Sequence, residues 1–375
     1  MNKHVKTVLL ILALMVMLML AGCGAPEPTE PPTEAPTEAA TEAPTEAPTE
    51  APTEAPTEAP TEAPTEPPVV LRNPLTGEVV EEEVTTRIFG VSINNIRDAL
   101  PHVGVAQADM FFEMFVNDYA TRGFALYSDI SQVEVIGSVR SMRYNFTDIA
   151  QSYDAFAAHA GGSDEVLSDA RKTGIDHFNI DTSSQSKYSF RDKNRNSMGI
   201  GWVHCLMVDG PGLYDWATEK GYKTTQPEGT AYGLNWAEDG TPAEGEAATT
   251  VKIKFILDGA AKETEMVYDA ELGAYVYNQY GFAMADGVSG EKEAFENVFV
   301  ILADTRTKGK YHVSDLSGSG DGYYACGGKL IPIKWYHENE TDPFTFTLAD
   351  GTPLEQGIGS SYVAIAPLKS KISWE

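Results

Sequence analysis

Beyond residue 68 the sequence predicts an α+β fold: an N-terminal α+β domain over 69–235, then a smaller, mostly antiparallel β domain over 245–375. Three observations predict it. Apolar runs of strand length fill 87–139, two segments of helical spacing lie between 146 and 173, and from Thr249 onward alternation and turn signals replace that spacing.

In chain order, the runs 88–93, 110–116, 124–127 and 133–139 read as strands. Phe146, Ile149, Ala150, Tyr153, Phe156 and Ala157 recur three and four residues apart, which predicts one helix stopped by Gly161-Gly162. Ser163 followed by Asp164 and Glu165 is an N-cap with acids in the first turn, so a second helix is predicted to run to Thr173 before Gly174. A third is predicted over 213–220, ending at Gly221, and the polar, Gly- and Pro-bearing stretch 226–248 reads as a domain connection. Val251, Ile253 and Phe255 alternate, 265–268 and 274–277 flank a turn, and strands follow at 298–302, 330–335, 344–348 and 362–365.

The first 68 residues are of another kind. Lys3 and Lys6 precede an unbroken apolar run over 8–22, shorter than the ~20 residues of a bilayer-crossing helix and suited to a signal-peptide core. It ends in Leu20-Ala21-Gly22-Cys23, which resembles the bacterial lipobox; the resemblance implies a lipoprotein signal peptide over 1–22 and a diacylglycerol on Cys23. Residues 25–68 are tandem Ala-Pro-Thr-Glu units holding 13 of the 22 prolines, a composition that cannot offset chain entropy by apolar burial. The stretch 23–68 is therefore expected to be a disordered tether, reaching at most about 140 Å if extended as polyproline II. The expected location is the outer face of the bacterial cytoplasmic membrane, with the folded part held out in the cell-wall space.

Charge excludes one class of partner. Eleven acids lie in the tether and two lysines in the leader, so the 307 residues after Pro68 carry a net charge of −19. An excess of that size disfavours nonspecific attraction to DNA, RNA or anionic lipid, because phosphate binding is led by Lys and Arg, and no nucleic-acid partner is expected. With Cys23 acylated, Cys205 and Cys326 remain; two buried thiols are the expected state and a disulfide the alternative.

Several segments resemble the YerB-like lipoproteins: Thr121-Arg122-Gly123-Phe124, Gly137-Ser138-Val139-Arg140-Ser141-Met142-Arg143, His159-Ala160-Gly161-Gly162-Ser163, Asn297-Val298-Phe299-Val300, Gly327-Gly328-Lys329 before Ile333-Lys334-Trp335, and Asp350-Gly351-Thr352. The resemblance covers most of the chain from Asn73 to Pro367 and implies two domains of a family without a settled biochemical activity. The chain departs from the family pattern at Asp118-Tyr119-Ala120 and at Val203-His204-Cys205.

Catalytic and nucleotide signatures are missing: there is no G-x-S-x-G, H-E-x-x-H, G-x-G-x-x-G or EF-hand loop, and no cofactor or metal is expected. Arg122, Arg140 and Arg143 stand out in an acidic chain. Two flank a strand end and a helix start, where free amides favour an anion, so a phosphate or carboxylate pocket is one reading. Ion pairs with Asp109, Glu113 and Asp148 are the other. His159, placed at the end of the predicted long helix, and the amides of Gly161, Gly162 and Ser163 could extend the pocket. His204 reads as a core residue of a strand. Tyr323, Tyr324, Trp335, Tyr336 and Trp374 could stack on sugars or fill a β core, and 315–322 reads as a flexible loop.

The sequence thus favours a noncatalytic envelope module binding an anionic wall component or envelope protein. The alternatives are a wall-acting hydrolase or transferase pairing Glu113 or Asp109 with His159, and a structural scaffold. Cys23→Ser is expected to release the protein from membranes, read by fractionation; retention in the membrane fraction would refute the anchor.

Overall fold

β-rich runs without proline build the N-terminal half of the sheet: β1 (Phe89–Asn94), β2 (Met110–Asn117) and β3 (Ala120–Tyr127), buried almost end to end because both faces are covered. The protein is seen in a computed structural model that describes residues 70–117, 120–181, 187–227, 229–230 and 232–375. The leader, Cys23, the tether and Asp118-Tyr119 lie outside the described residues.

After β4 (Val135–Gly137) comes α1 (Tyr144–Ser152), which buries Phe146, Ile149 and Ala150. The predicted helix through Ala157 is corrected here. The chain leaves the helix at Tyr153, Asp154 takes φ +44°, and the apolar run beyond it becomes β5 (Phe156–His159), parallel to β1 with Phe89 opposite Phe156. A short apolar run satisfies either periodicity, and here the sheet supplies its backbone partners. α2 (Asp164–Thr173) matches its prediction: Ser163 Oγ accepts from the Val166 amide at 3.4 Å, and Gly174 closes the helix at φ +75°. β6 (His177–Asn179), β7 (Ser189–Arg191), α3 (Lys193–Ser197), β8 (Leu206–Asp209) and α4 (Gly210–Glu219) complete this half. Trp202–His204 forms a 3-10 turn where a strand was expected.

The C-terminal half contributes β9 (Asn235–Ala237), β10 (Glu246–Ala247), β11 (Thr250–Leu257), β12 (Ala260–Asp269), β13 (Ala274–Gln279), β14 (Phe282–Ala283), β15 (Ala294–Phe295) and β16 (Asn297–Ala303). Next come the hairpin β17 (Thr305–Lys308) and β18 (Tyr311–Ser314), then β19 (Gly318–Cys326), β20 (Lys329–His337), β21 (Thr345–Thr347), β22 (Glu355–Gly357), β23 (Ser361–Pro367) and β24 (Lys371–Trp374). β19 absorbs most of the stretch read as a flexible loop.

Two large sheets result among the described residues, beside three small ones, β17-β18, β22-β9 and β4-β8-β7. The first has eleven strands in the order β10-β20-β19-β16-β23-β2-β3-β1-β5-β6, with β21 beside β20. β23 lies parallel to both β16 and β2, so strands from the two halves share this sheet. The second is antiparallel, β14-β13-β12-β11-β24, with β15 beside β13. Strand alternation assigns Phe111 and Phe115 to the core shared with Val251, Ile253 and Phe255 of the second sheet, and Phe112 and Met114 to the core under α1. The 226–248 stretch is fastened at several points: β9 pairs β22, and the Gln226 side chain donates to Val84 O at 3.0 Å. Cys205 and Cys326 are buried free thiols, and Tyr324 and Trp335 are core residues.

Glu113 shares the face of Phe111 but is polar and fully buried. It accepts from Lys262 Nζ, from Thr121 Oγ1 at 2.5 Å, from Thr264 Oγ1 at 2.9 Å, from Asn95 Nδ2 at 3.0 Å, and from the hydroxyls of Tyr362 at 2.6 Å and Tyr277 at 3.1 Å. Burial alone would push this carboxyl up; Lys262 and the hydroxyl donors outweigh it and hold the group below its ordinary value. Glu113→Ala leaves Lys262 buried without its partner and is expected to cost about 3–5 kcal/mol in urea unfolding, partly recovered by adding Lys262→Met. A loss below about 1 kcal/mol would show the network to be dispensable.

Candidate anion-binding site

The β1–β3 register sets Asn94 opposite Arg122. The segment 138–142 then runs between the end of β1 and the chain leaving β5. The Asn94 amide donates to Ser138 O (2.9 Å) and the Arg140 amide to Ser92 O (2.8 Å), while Ala160 donates to Arg140 O (2.9 Å) and Met142 to Gly161 O (3.0 Å). These bonds bring the three arginines together at the start of α1.

The expected ion pairs are not made. Among the described residues no carboxylate pairs with Arg122, Arg140 or Arg143; their hydrogen-bond partners there are carbonyls. Arg122 Nη1 donates to Ser141 O (3.1 Å), Arg143 Nη1 to Met142 O (2.8 Å), and Arg140 Nη1 to Val203 O (3.2 Å). All three Nε atoms are buried without a hydrogen-bond partner, and Arg122 is only 6 % exposed. Burial, then Arg143 and Arg140, hold the Arg122 guanidinium well below its ordinary pKa, and burial brings Arg143 down to about 10. The N-cap of α1 is Arg143, no side chain caps the helix, and its first turn holds no acid. Cations at a helix N-terminus oppose the dipole, and an anion placed there would relieve that opposition.

The β17–β18 hairpin supplies a wall that the sequence reading missed. Asn145 Nδ2 donates to Ser314 O (2.7 Å) and Asn145 Oδ1 accepts from the Ser314 amide (2.9 Å), tying the hairpin to α1. The Arg143 guanidinium lies 4.8 Å above the Tyr311 ring, and Lys308 Nζ lies 4.1 Å above Tyr144. A usable signal existed: Arg306, Lys308 and Lys310 fall within five residues of an acidic chain.

The other predicted residues have different roles. His159 is on β5, not at a helix end. Its Nδ1 donates to Gly161 O (2.8 Å), so its Nε2 accepts from His177 Nδ1 (2.9 Å); no carboxylate is bonded to it among the described residues. Burial pushes it down to about 4. Gly161 gives its amide to Asn179 Oδ1 (2.8 Å), so that member of the predicted amide nest is committed to structure, and the Ser163 hydroxyl caps α2. His204 is half-buried rather than core, and its Nδ1 meets Asn94 Nδ2 at 2.9 Å beside the arginines. Asp109 accepts from the Ser128 amide (2.6 Å) and Asn73 (3.1 Å), and Asp148 from Asn145 (2.9 Å). Glu113 is locked between the sheets. Among the described residues the carboxylate–His159 pair of the hydrolase reading is not formed, and no cluster of three His, Cys, Asp or Glu able to hold a metal occurs there.

Comparison with known proteins bears on the family and the fold. Residues 75–223 match the N-terminal domain, and residues 251–363 the C-terminal domain, of a protein family of unknown function, DUF3048. The chain belongs to this YerB-like family. It is 26 % identical over 280 residues to "Putative lipoprotein YerB" of Bacillus subtilis (strain 168), covering 72 % of this chain and 77 % of that one. It is also similar to the crystal structure of YerB protein from Bacillus subtilis, with TM-score 0.69 and 24 % identity over 81 % of this chain and 99 % of that one.

The His159 environment has a pH signature. An unfolded histidine titrates near 6.5 and this one near 4, so the folded state binds fewer protons between these values. Its contribution is fully present above pH 6.5 and is lost as pH falls toward 4, by up to about 3 kcal/mol. NMR should show a neutral His159 ring at pH 5, and His159→Asn should flatten the fall in stability; a protonated ring at pH 6 would refute the assignment.

Proposed function

We propose that this YerB-like protein is anchored through Cys23 to the outer face of the cytoplasmic membrane and binds a phosphate- or carboxylate-bearing envelope component at Arg122, Arg140 and Arg143. The relative's name supports the lipoprotein part, and among the described residues no helix is long and apolar enough to cross a membrane. One observation supports the binding part: among the described residues three neighbouring guanidiniums at an uncapped helix start have no carboxylate partner, and the most buried keeps an unpartnered Nε. A structural network would have acquired acids, since an unpaired buried charge costs several kcal/mol. Here the bound anion takes that place.

Thermal unfolding with inorganic phosphate, glycerol phosphate, muramyl peptide or matched chloride tests this reading. A saturating anion at about 100 times its Kd stabilises by about 2.7 kcal/mol. Arg140→Gln and Arg143→Gln are expected to leave the apo melting temperature unchanged or raised and to abolish the anion effect. Severe destabilisation of both, with no anion effect on the wild type, would leave only a structural role.

A further inference from the structure

The six residues Met198-Gly199-Ile200-Gly201-Trp202-Val203 carry no polar side chain except the indole N–H, yet they lie at the surface. Met198 is 74 %, Trp202 47 % and Val203 55 % exposed, and Ile200 is half-buried. Exposed apolar patches of this kind mark interaction surfaces. The loop has a fixed base: Ile200 N–H donates to Arg195 O (3.2 Å) and His204 N–H to Gly201 O (2.7 Å), while the buried Arg195 guanidinium donates to Pro101 O (2.8 Å) and Ala99 O (2.7 Å).

Cations border it. Arg191 donates to Trp202 O (3.0 Å) with its guanidinium 6.0 Å from the indole, Arg140 donates to Val203 O (3.2 Å), and Lys193 is exposed. Two adjacent carboxylates are engaged, Asp181 with Arg191 (2.9 Å) and Asp192 with the Asn194 amide (2.7 Å) at the start of α3, while Asp98, on the His204 side, is exposed. Tryptophan and aliphatic side chains ringed by Arg and Lys match the boundary between anionic headgroups and acyl chains, where the indole is half-wet and the cations meet phosphate.

We propose that the 198–203 loop docks onto an anionic phospholipid bilayer, Trp202 and Val203 entering the interface while Arg140 and Arg191 meet lipid phosphates. This rests on the reading above only through Arg140.

The test uses the unacylated chain from Gly24, floated with vesicles of phosphatidylglycerol in phosphatidylcholine or of phosphatidylcholine alone. Flotation with the anionic vesicles is expected, weakened about five-fold by Arg191→Gln. The double variant Trp202→Ser, Val203→Ser should lose at least about ten-fold in vesicle binding while keeping any stabilisation by inorganic phosphate. Flotation that depends on Trp202 and Val203 supports the docking even if phosphate stabilises nothing, a result that would remove the anion pocket alone. Phosphate stabilisation without flotation overturns the docking and keeps the pocket. Equal flotation of the double variant, or self-association in sedimentation that the double variant abolishes without any vesicle binding, also overturns it.

Discussion

A single buried carboxylate organises the contact between the two sheets. Glu113 projects from β2 toward the second sheet and is met by Lys262 and Thr264 of β12, Tyr277 of β13 and Tyr362 of β23. Such a charge is tolerable in the interior only if nearly every lone pair is satisfied, so the network fixes the relative placement of these strands more narrowly than apolar packing would. Asn95, just past β1, bonds to the same carboxylate and to Gln279 (2.7 Å). The end of β1 is thereby held, and with it the register that sets Asn94 opposite Arg122.

The arginine site inherits that rigidity. Its groups come from β3, from the 138–143 segment and from a hairpin more than 160 residues further along the chain, and none of these elements assembles the site alone. Among the described residues the three guanidiniums are gathered without a carboxylate partner, an arrangement that like-charge repulsion opposes and that the network between the sheets and the cores flanking β2 must hold in place. Binding regions commonly store unfavourable electrostatics of this kind where the surrounding structure over-determines them.

Much of the fold was legible because long alternating or continuous apolar runs admit one reading. Val251, Ile253 and Phe255 point to the core as expected, and the Ser163 cap and Gly174 bound a helix as written. The failures have a common cause. Phe156 and Ala157 fit helical spacing, but strand partners at β1 and β6 decided otherwise. Trp202 and Val203 looked like a buried strand because apolar character was taken for burial, whereas glycines on either side of Ile200 leave the run exposed. At the site, arginine type and the strand-to-helix position were readable, but the missing carboxylates were not. Asp109, Glu113 and Asp148 are close enough in sequence to suggest pairing, and only their commitment to Ser128, Lys262 and Asn145 shows that they are elsewhere engaged.

The placement of β23 bears on how the molecule is made. This strand ends eight residues before the C-terminus, yet it occupies the middle of the larger sheet, between β16 and β2. Until it arrives, β2 has one edge open and the apolar faces of the N-terminal half lack their central neighbour. Synthesis runs in the opposite direction to this dependence: β2 waits for a neighbour that follows it by more than 240 residues. Closure of the larger sheet therefore rests on pairing across a long stretch of chain, which makes its final step slow and leaves the β2 edge open until β23 docks.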